Sequence, residues 1–399
     1  MRGFIEKHKM TIFIVLNLIL TVGMNLAHPV TPSLLKDLNL PPHVFGVSFA
    51  AMCTTNFIFA LIWSNMAHSM KKSKILAISS IGYALAQILF GIAHTEVEIY
   101  IARLISGVFA GGFQVGFMSY IVNNAKVEEQ AHYITISSVI VSVGAALGFF
   151  IGGFLGDVDV RMTFMIQAAM HIILGILVYI ILVPTEVFEE RKIDTRNVLK
   201  ESNPIKIVNN SKHLMIGFMI PLLVTVFITS IGSTLFDQSF NYYIKDIFNF
   251  APSQNGIIKF ITGLFAVVLN IILIRRKQVF GRVFLRNLFI GMATLAAIVA
   301  WLPTESGFVG VSLLWFGAYT VMIPALQNAV LSKKQNATEG NQLAGLYNAL
   351  MMFGKIFGAL VTSVVYTINP ILSFVVSGLL FLIAFVIIAM AKEAPTIQH

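Results

Sequence analysis

An all-α polytopic membrane protein with twelve spanning helices is the fold class this sequence predicts. Its composition, the continuity of its apolar runs and the placement of its basic residues carry that prediction. Of 399 residues, 57% are hydrophobic and only 11% charged, with a mean hydropathy of +0.84. Soluble domains carry about a quarter charged residues, so no soluble core hides this much apolar surface. A helix crosses a bilayer with roughly 20 mostly apolar residues. In hydrocarbon only helices and closed barrels satisfy their own backbone groups. Runs such as ILAISSIGYALAQILFGIA and FVVSGLLFLIAFVIIAMA are continuous rather than alternating, which selects helices.

The N-terminal MRGFIEKHK is short and basic. The apolar run from Met10 to about Pro32 is too long for a cleavable signal and lacks a small-residue cleavage site. It is expected to be retained as span one. Further spans are expected at 44–67, 74–94, 97–122, 132–156, 161–183, 213–241, 252–275, 284–302, 306–331, 342–367 and 370–391. With these bounds, Lys and Arg sort 21 to 3 between the two sides. The rich side holds the N-terminal basic residues, Lys71, Lys72, Lys74 and Lys126, the central loop with Lys206, and later Lys277, Lys333, Lys334 and Lys392. The poor side holds only Lys36, Arg161 and Lys245. Positive-inside bias then places both termini in the cytoplasm. The net charge of +9 is therefore topology, not a nucleic-acid footprint. The single cysteine, Cys53, excludes an intrachain disulfide and is expected to be buried and inert.

The longest polar stretch, PTEVFEERKIDTRNVLKESNPIKIVNNSKH, falls between spans six and seven. It divides the chain into 1–184, a cytoplasmic loop 185–212, and 213–399. The halves repeat. Asp37 and Asp246 are 209 apart, and Gly46 and Gly256 are 210 apart. Gly144 and Gly148 map onto Gly354 and Gly358, again 210 apart. A common offset at the first and fifth spans of each half implies two six-helix bundles repeated in parallel. That layout is similar to the major facilitator superfamily of transporters.

Three motifs extend the resemblance to the twelve-helix drug:proton antiporters of that superfamily. GMNLAHPVTPSLLKDLNL resembles their first-helix motif through Gly23, Pro29, Val30 and Pro32. Two prolines bend the end of a helix, and neighbouring helices or water must satisfy the freed carbonyls. ARLISGVFAGGF resembles the R-x-x-x-G motif of the fourth helix through Arg103 and Gly107. GAALGFFIGG resembles the antiporter motif G-x-x-x-G-P-x-x-G-G, with Gly144, Gly148, Gly152 and Gly153 matching and Phe149 in place of proline. Glycines at i, i+4 and i+8 make a flat face for close helix packing, and packing alone would account for them equally well. The resemblance ties this motif to export. The loop SNMAHSMKKSK departs from the superfamily's inner-loop signature: it keeps the basic cluster, but His68 stands where an acid is expected.

Ionisable groups inside a span are costly and by default functional. They are His28, Arg103, His171, Asp237, Lys259 and Lys355. Lys259 lies in the first turns of span eight, within reach of the interface, and His171, alone among apolar residues, is expected to be hydrogen-bonded structure. Arg103 needs a polar cavity or a partner; the alternative is that it reaches the interface and pairs with Glu98. Asp237 lies 209 residues after His28, so the repeat sets them at equivalent points of spans one and seven. The resemblance implies that both face the substrate path and carry the coupling proton. One charge moving down 100 mV is worth about 2.3 kcal/mol, roughly a fifty-fold concentration ratio. The alternative is that Asp237 pairs with Lys355 and ties two helices together. Arg103 and Lys355, with Asn25, Gln114, Gln238, Tyr319 and Asn348, form the expected substrate cavity.

These expectations add up to a secondary active, proton-coupled exporter of small organic molecules, working by alternating access as a monomer in a bacterial plasma membrane. Its partners are a small-molecule substrate, protons and lipid. The substrate is either an amphipathic drug or a carboxylate-bearing metabolite such as an opine-type metallophore. A proton- or solute-coupled importer is the alternative. No phosphate-binding glycine loop, metal cluster or nucleophile triad is legible, so neither an enzyme nor a cofactor is expected.

Overall fold

The computed structural model describes residues 2–203, 209, 212–215, 217, 219–276, 281–302, 304–332 and 337–391. Lys206, Lys277, Lys333, Lys334 and Lys392, used above in sorting charge, lie outside the described residues. Span one is Lys9–Asn25, followed after a turn by the short helix Thr31–Asp37. Spans two to six run His43–Met66, Lys72–Ile92, Glu96–Asn124, Val127–Val158 and Val160–Leu182. Spans seven to twelve run Met219–Asp246, Pro252–Arg276, Arg282–Trp301, Glu305–Leu331, Ala337–Ile368 and Pro370–Met390. Among the described residues, eleven helices are long and apolar enough to cross a membrane, and Lys9–Asn25 is a shorter apolar helix. The chain is an all-helical, multi-pass membrane protein.

Two compact units form. One comprises residues 1–44, 51–203 and 244–267; the other comprises 45–50, 204–243 and 268–399. The first is built around Phe13, Leu20, Leu76, Tyr83, Phe113, Tyr120 and Leu174, with Phe13 stacked on Tyr120 at 4.3 Å between ring centroids. In the second, Phe236 stacks on Trp315 at 3.8 Å. Phe374 meets Phe236 edge-on. These rings come from spans seven, ten and twelve, so aromatic packing defines where those helices touch.

The repeat seen in the sequence recurs as geometry. A Cβ on Gly144 would lie 2.9 Å from Thr21, and one on Gly148 would lie 2.5 Å from the Val22 carbonyl. Gly354 and Gly358 meet Ser230 and Ile231 of span seven in the same way, at 2.5 and 2.7 Å. Span five thus lies on span one as span eleven lies on span seven, with backbones too close for any side chain between them. Spans one and seven also end alike. Asn39 and Asn249 both adopt left-handed φ, 54° and 53°, a conformation that asparagine tolerates at a helix end. In the first unit Lys36 of the first end forms an ion pair with Asp246 of the second.

Span one stops at Asn25 because Pro29 and Pro32 cannot donate backbone hydrogen bonds. Side-chain donors add to the backbone hydrogen bonds of this turn. Gln167 Nε2 of span six donates to Gly23 O at 2.7 Å and to Met24 O at 3.2 Å. Asn255 Nδ2 donates to Pro29 O at 3.3 Å, and Thr31 Oγ1 closes back on Ala27 O at 2.8 Å. A helix broken inside an apolar phase thereby keeps its backbone satisfied.

Candidate functional site

In the second unit the ionisable residue Asp237 lies about two thirds of the way along span seven, half-buried. Helical spacing gives it local partners. Asn241, one turn on, donates from Nδ2 to the Asp237 backbone carbonyl at 2.8 Å and reaches the carboxylate at 3.4 Å. Gln238, buried, donates to the other carboxylate oxygen at 3.4 Å. From span ten comes Tyr319, whose phenol interacts with both Ser233 and Asp237 and whose ring stacks on Trp315. Tyr347 of span eleven donates its hydroxyl to Ile323 O of span ten at 3.3 Å. Asp237, Gln238 and Tyr319 are therefore brought together. Asn241, Ser233 and Tyr347 were missed by the sequence analysis. Asn241 and Ser233 stand at i+4 and i−4 from Asp237, a signal that was available; Tyr347 had none.

Elsewhere in that unit Lys355 is half-buried on span eleven, directly after Gly354, and Asn348 is exposed on the same helix.

The candidates of the first unit are spread over several helices. His28 lies in the turn after span one, its ring edge-on to Phe149 at 5.7 Å. Asn25 donates to Thr21 O at 2.8 Å and packs against Gly148. Gly152 packs on Leu26, while Gly153 faces the Pro252 carbonyl, 2.7 Å from where its Cβ would be. Gln114 is exposed on span four. Arg103 is 6% exposed; its Nη2 donates to Thr31 Oγ1 at 3.2 Å, and its guanidinium lies 4.1 Å from the Phe90 ring centroid. Arg103 therefore clamps the short helix after the break. Glu98, the alternative partner for Arg103, is committed elsewhere. Its carboxylate accepts from His94 N and Thr95 N at 2.6 and 3.0 Å and closes a capping box with Thr95. His171, fully buried, takes a hydrogen bond from Ser80 Oγ on its backbone carbonyl at 2.7 Å.

A family model described as Major Facilitator Superfamily matches residues 13–359. The chain belongs to the major facilitator superfamily. This superfamily member is 26% identical to Multidrug resistance protein 2 of Bacillus subtilis (strain 168), over 98% of each chain. It is 24% identical to Quinolone resistance protein NorA of Staphylococcus aureus (strain MSSA476), over 87% of each. In three dimensions it is similar to a bacterial homologue of the human lysosomal transporter Spinster, solved inward-facing and unoccupied, with TM-score 0.74 and 12% identity over 99% of each chain. At that identity the likeness concerns the fold alone. The superfamily is one of membrane transporters.

Proposed function

We propose that this superfamily member is a proton-coupled exporter of drug-like organic molecules, working by alternating access. The observation that carries the proposal is Asp237, an acid within span seven held by Gln238 and Asn241. Moving one proton charge down the membrane potential supplies about 2.3 kcal/mol per 100 mV. His28 at the repeat-equivalent point is the second coupling group. Lys355, Asn25, Gln114 and Asn348 line the path in this reading, and the glycine face of span five carries the antiporter motif. The halves are 1–184 and 213–399, joined by 185–212, with both termini cytoplasmic and the monomer as the working unit in a plasma membrane.

Likeness to multidrug resistance proteins over nearly the whole chain favours drugs as the substrate class. An excess of cations in the cavity, Arg103, Lys355 and His28 against the one acid Asp237, would favour a carboxylate-bearing metabolite. Arg103, occupied by Thr31 and Phe90, drops out of that excess, which further favours drugs over a metallophore.

The test is flux in proteoliposomes under an imposed pH gradient, comparing a cationic dye with a carboxylate-rich metal chelator. Gradient-driven dye transport that Asp237→Asn abolishes is the expected outcome. Transport of the chelator alone would replace the drug reading with the metabolite one, and uptake in the gradient's direction would make the protein an importer. Wild-type flux in Asp237→Asn would remove Asp237 from coupling.

A further inference from the structure

The loop between spans two and three carries His68 where the superfamily signature has an acid, yet its basic cluster is not without carboxylates. They arrive from the segment that leaves span six. Glu186, 5% exposed, sits at the start of span three. One carboxylate oxygen accepts the Lys72 N–H at 2.8 Å, and the other accepts the Ser73 N–H at 3.0 Å together with the Ser73 hydroxyl. The first N–H groups of a helix have no partner within it, and the helix dipole favours negative charge there. Lys71, the residue at the N-cap of span three, makes no side-chain capping bond. Glu186 supplies the cap from 114 residues away.

Further contacts bind the same two segments. Glu190 accepts from Lys74 Nζ at 2.8 Å. Lys72 Nζ stands 3.1 Å from the centroid of the Phe188 ring, a cation–π contact. Lys71 Nζ donates to Val183 O at 3.0 Å, and Arg191 N donates to Ser69 O at 2.9 Å. Every one of these joins residues 69–74 to residues 183–191.

We propose that residues 183–191 are a strap whose central carboxylate, Glu186, supplies the N-terminal cap that span three lacks in its own sequence. It pins the exit of span six to the entry of span three, so that the two move as one body, and turnover of the transporter requires it. Charge-assisted hydrogen bonds to a carboxylate are roughly twice as strong as neutral ones. Losing Glu186 therefore removes all three hydrogen bonds at the buried head of span three at once, whereas losing Glu190 removes exposed contacts to Lys74 and the Lys71 N–H.

The proposal is tested by hydrogen exchange on the full chain in lipid nanodiscs, read at residues 70–76 and 183–191, alongside dye flux per folded protein. Glu186→Ala should speed exchange of the Lys72 and Ser73 amides and of the strap by about tenfold or more and cut flux. Glu190→Ala should change both much less. Ser73→Ala, which removes only the hydroxyl donor, is the milder variant should Glu186→Ala fail to fold, and it should give an intermediate rise. Unchanged exchange in Glu186→Ala overturns the clasp; faster exchange with wild-type flux overturns its role in turnover. The exchange arm needs neither substrate nor proton gradient, so its outcome is independent of the Asp237 assignment.

Discussion

Glu190 lies outside the spans, and its carboxyl is held below the usual carboxylate range by the hydrogen bond from Lys74, with the Lys71 N–H adding to it. A carboxylate with a depressed folded pKa stabilises the fold above its unfolded pKa, and that contribution disappears as pH falls through the folded value. Protection factors in residues 183–191, which are exchange rates corrected for their intrinsic pH dependence, should therefore stay flat from about pH 7 into the mildly acidic range and fall only below about pH 4, with Lys74→Met removing that step. At the break of span one the residue to test is Gln167. Its amide is fully buried and donates to the carbonyls of Gly23 and Met24 at the helix end. Leaving a buried acceptor unsatisfied costs about 1–3 kcal/mol, so Gln167→Leu should lower the thermal midpoint measurably while Gln167→Glu at acid pH, protonated and able to donate, should recover part of it. A glutamine within a largely apolar helix was a sequence signal for such a role, although its partner was not.

Among the helices, the glycine faces of spans five and eleven decide how closely backbones approach. A methyl group on Gly148 would sit 2.5 Å from a backbone carbonyl of span one, and backbone cannot swing aside as a flexible side chain can. Overpacking of this kind costs about 1–3 kcal/mol. Gly148→Ala and Gly358→Ala should therefore both lower the midpoint of thermal unfolding in detergent. Gly291→Ala on span nine is the control, since nothing lies within 4 Å of its added Cβ. That substitution should be neutral or stabilising by about 0.5–1 kcal/mol, because alanine is the better helix former. Equal behaviour of all three variants would mean that close backbone contact does not limit packing in spans five and eleven.

At the scale of the whole molecule, topology is the property to measure. In a Cys53→Ser background, single cysteines at Lys192 and at Lys36 should be labelled by an impermeant thiol reagent from opposite faces of intact cells, with Lys36 reacting from outside. Labelling of Lys192→Cys from outside would invert the assigned orientation. Twelve apolar helices and a distortion near Pro29 were legible in the chain, because hydrocarbon demands long apolar runs and proline withholds a hydrogen bond wherever it stands; the end of span one was not, since the helix expected to reach Pro32 stops at Asn25, and span seven runs Met219–Asp246 rather than 213–241. The duplication was legible too, from the offsets of Asp37, Gly144 and Gly148. What a span touches was not. All faces of these helices are apolar, so periodicity marks no inward side, and rotation about each axis is set by which small residues let backbones meet. Hence Tyr319 beside Asp237, Arg103 on Thr31 rather than Glu98, and Glu186 at the head of span three were decided only in the folded protein, where residues far apart in sequence supply the hydrogen-bond partners that lipid cannot.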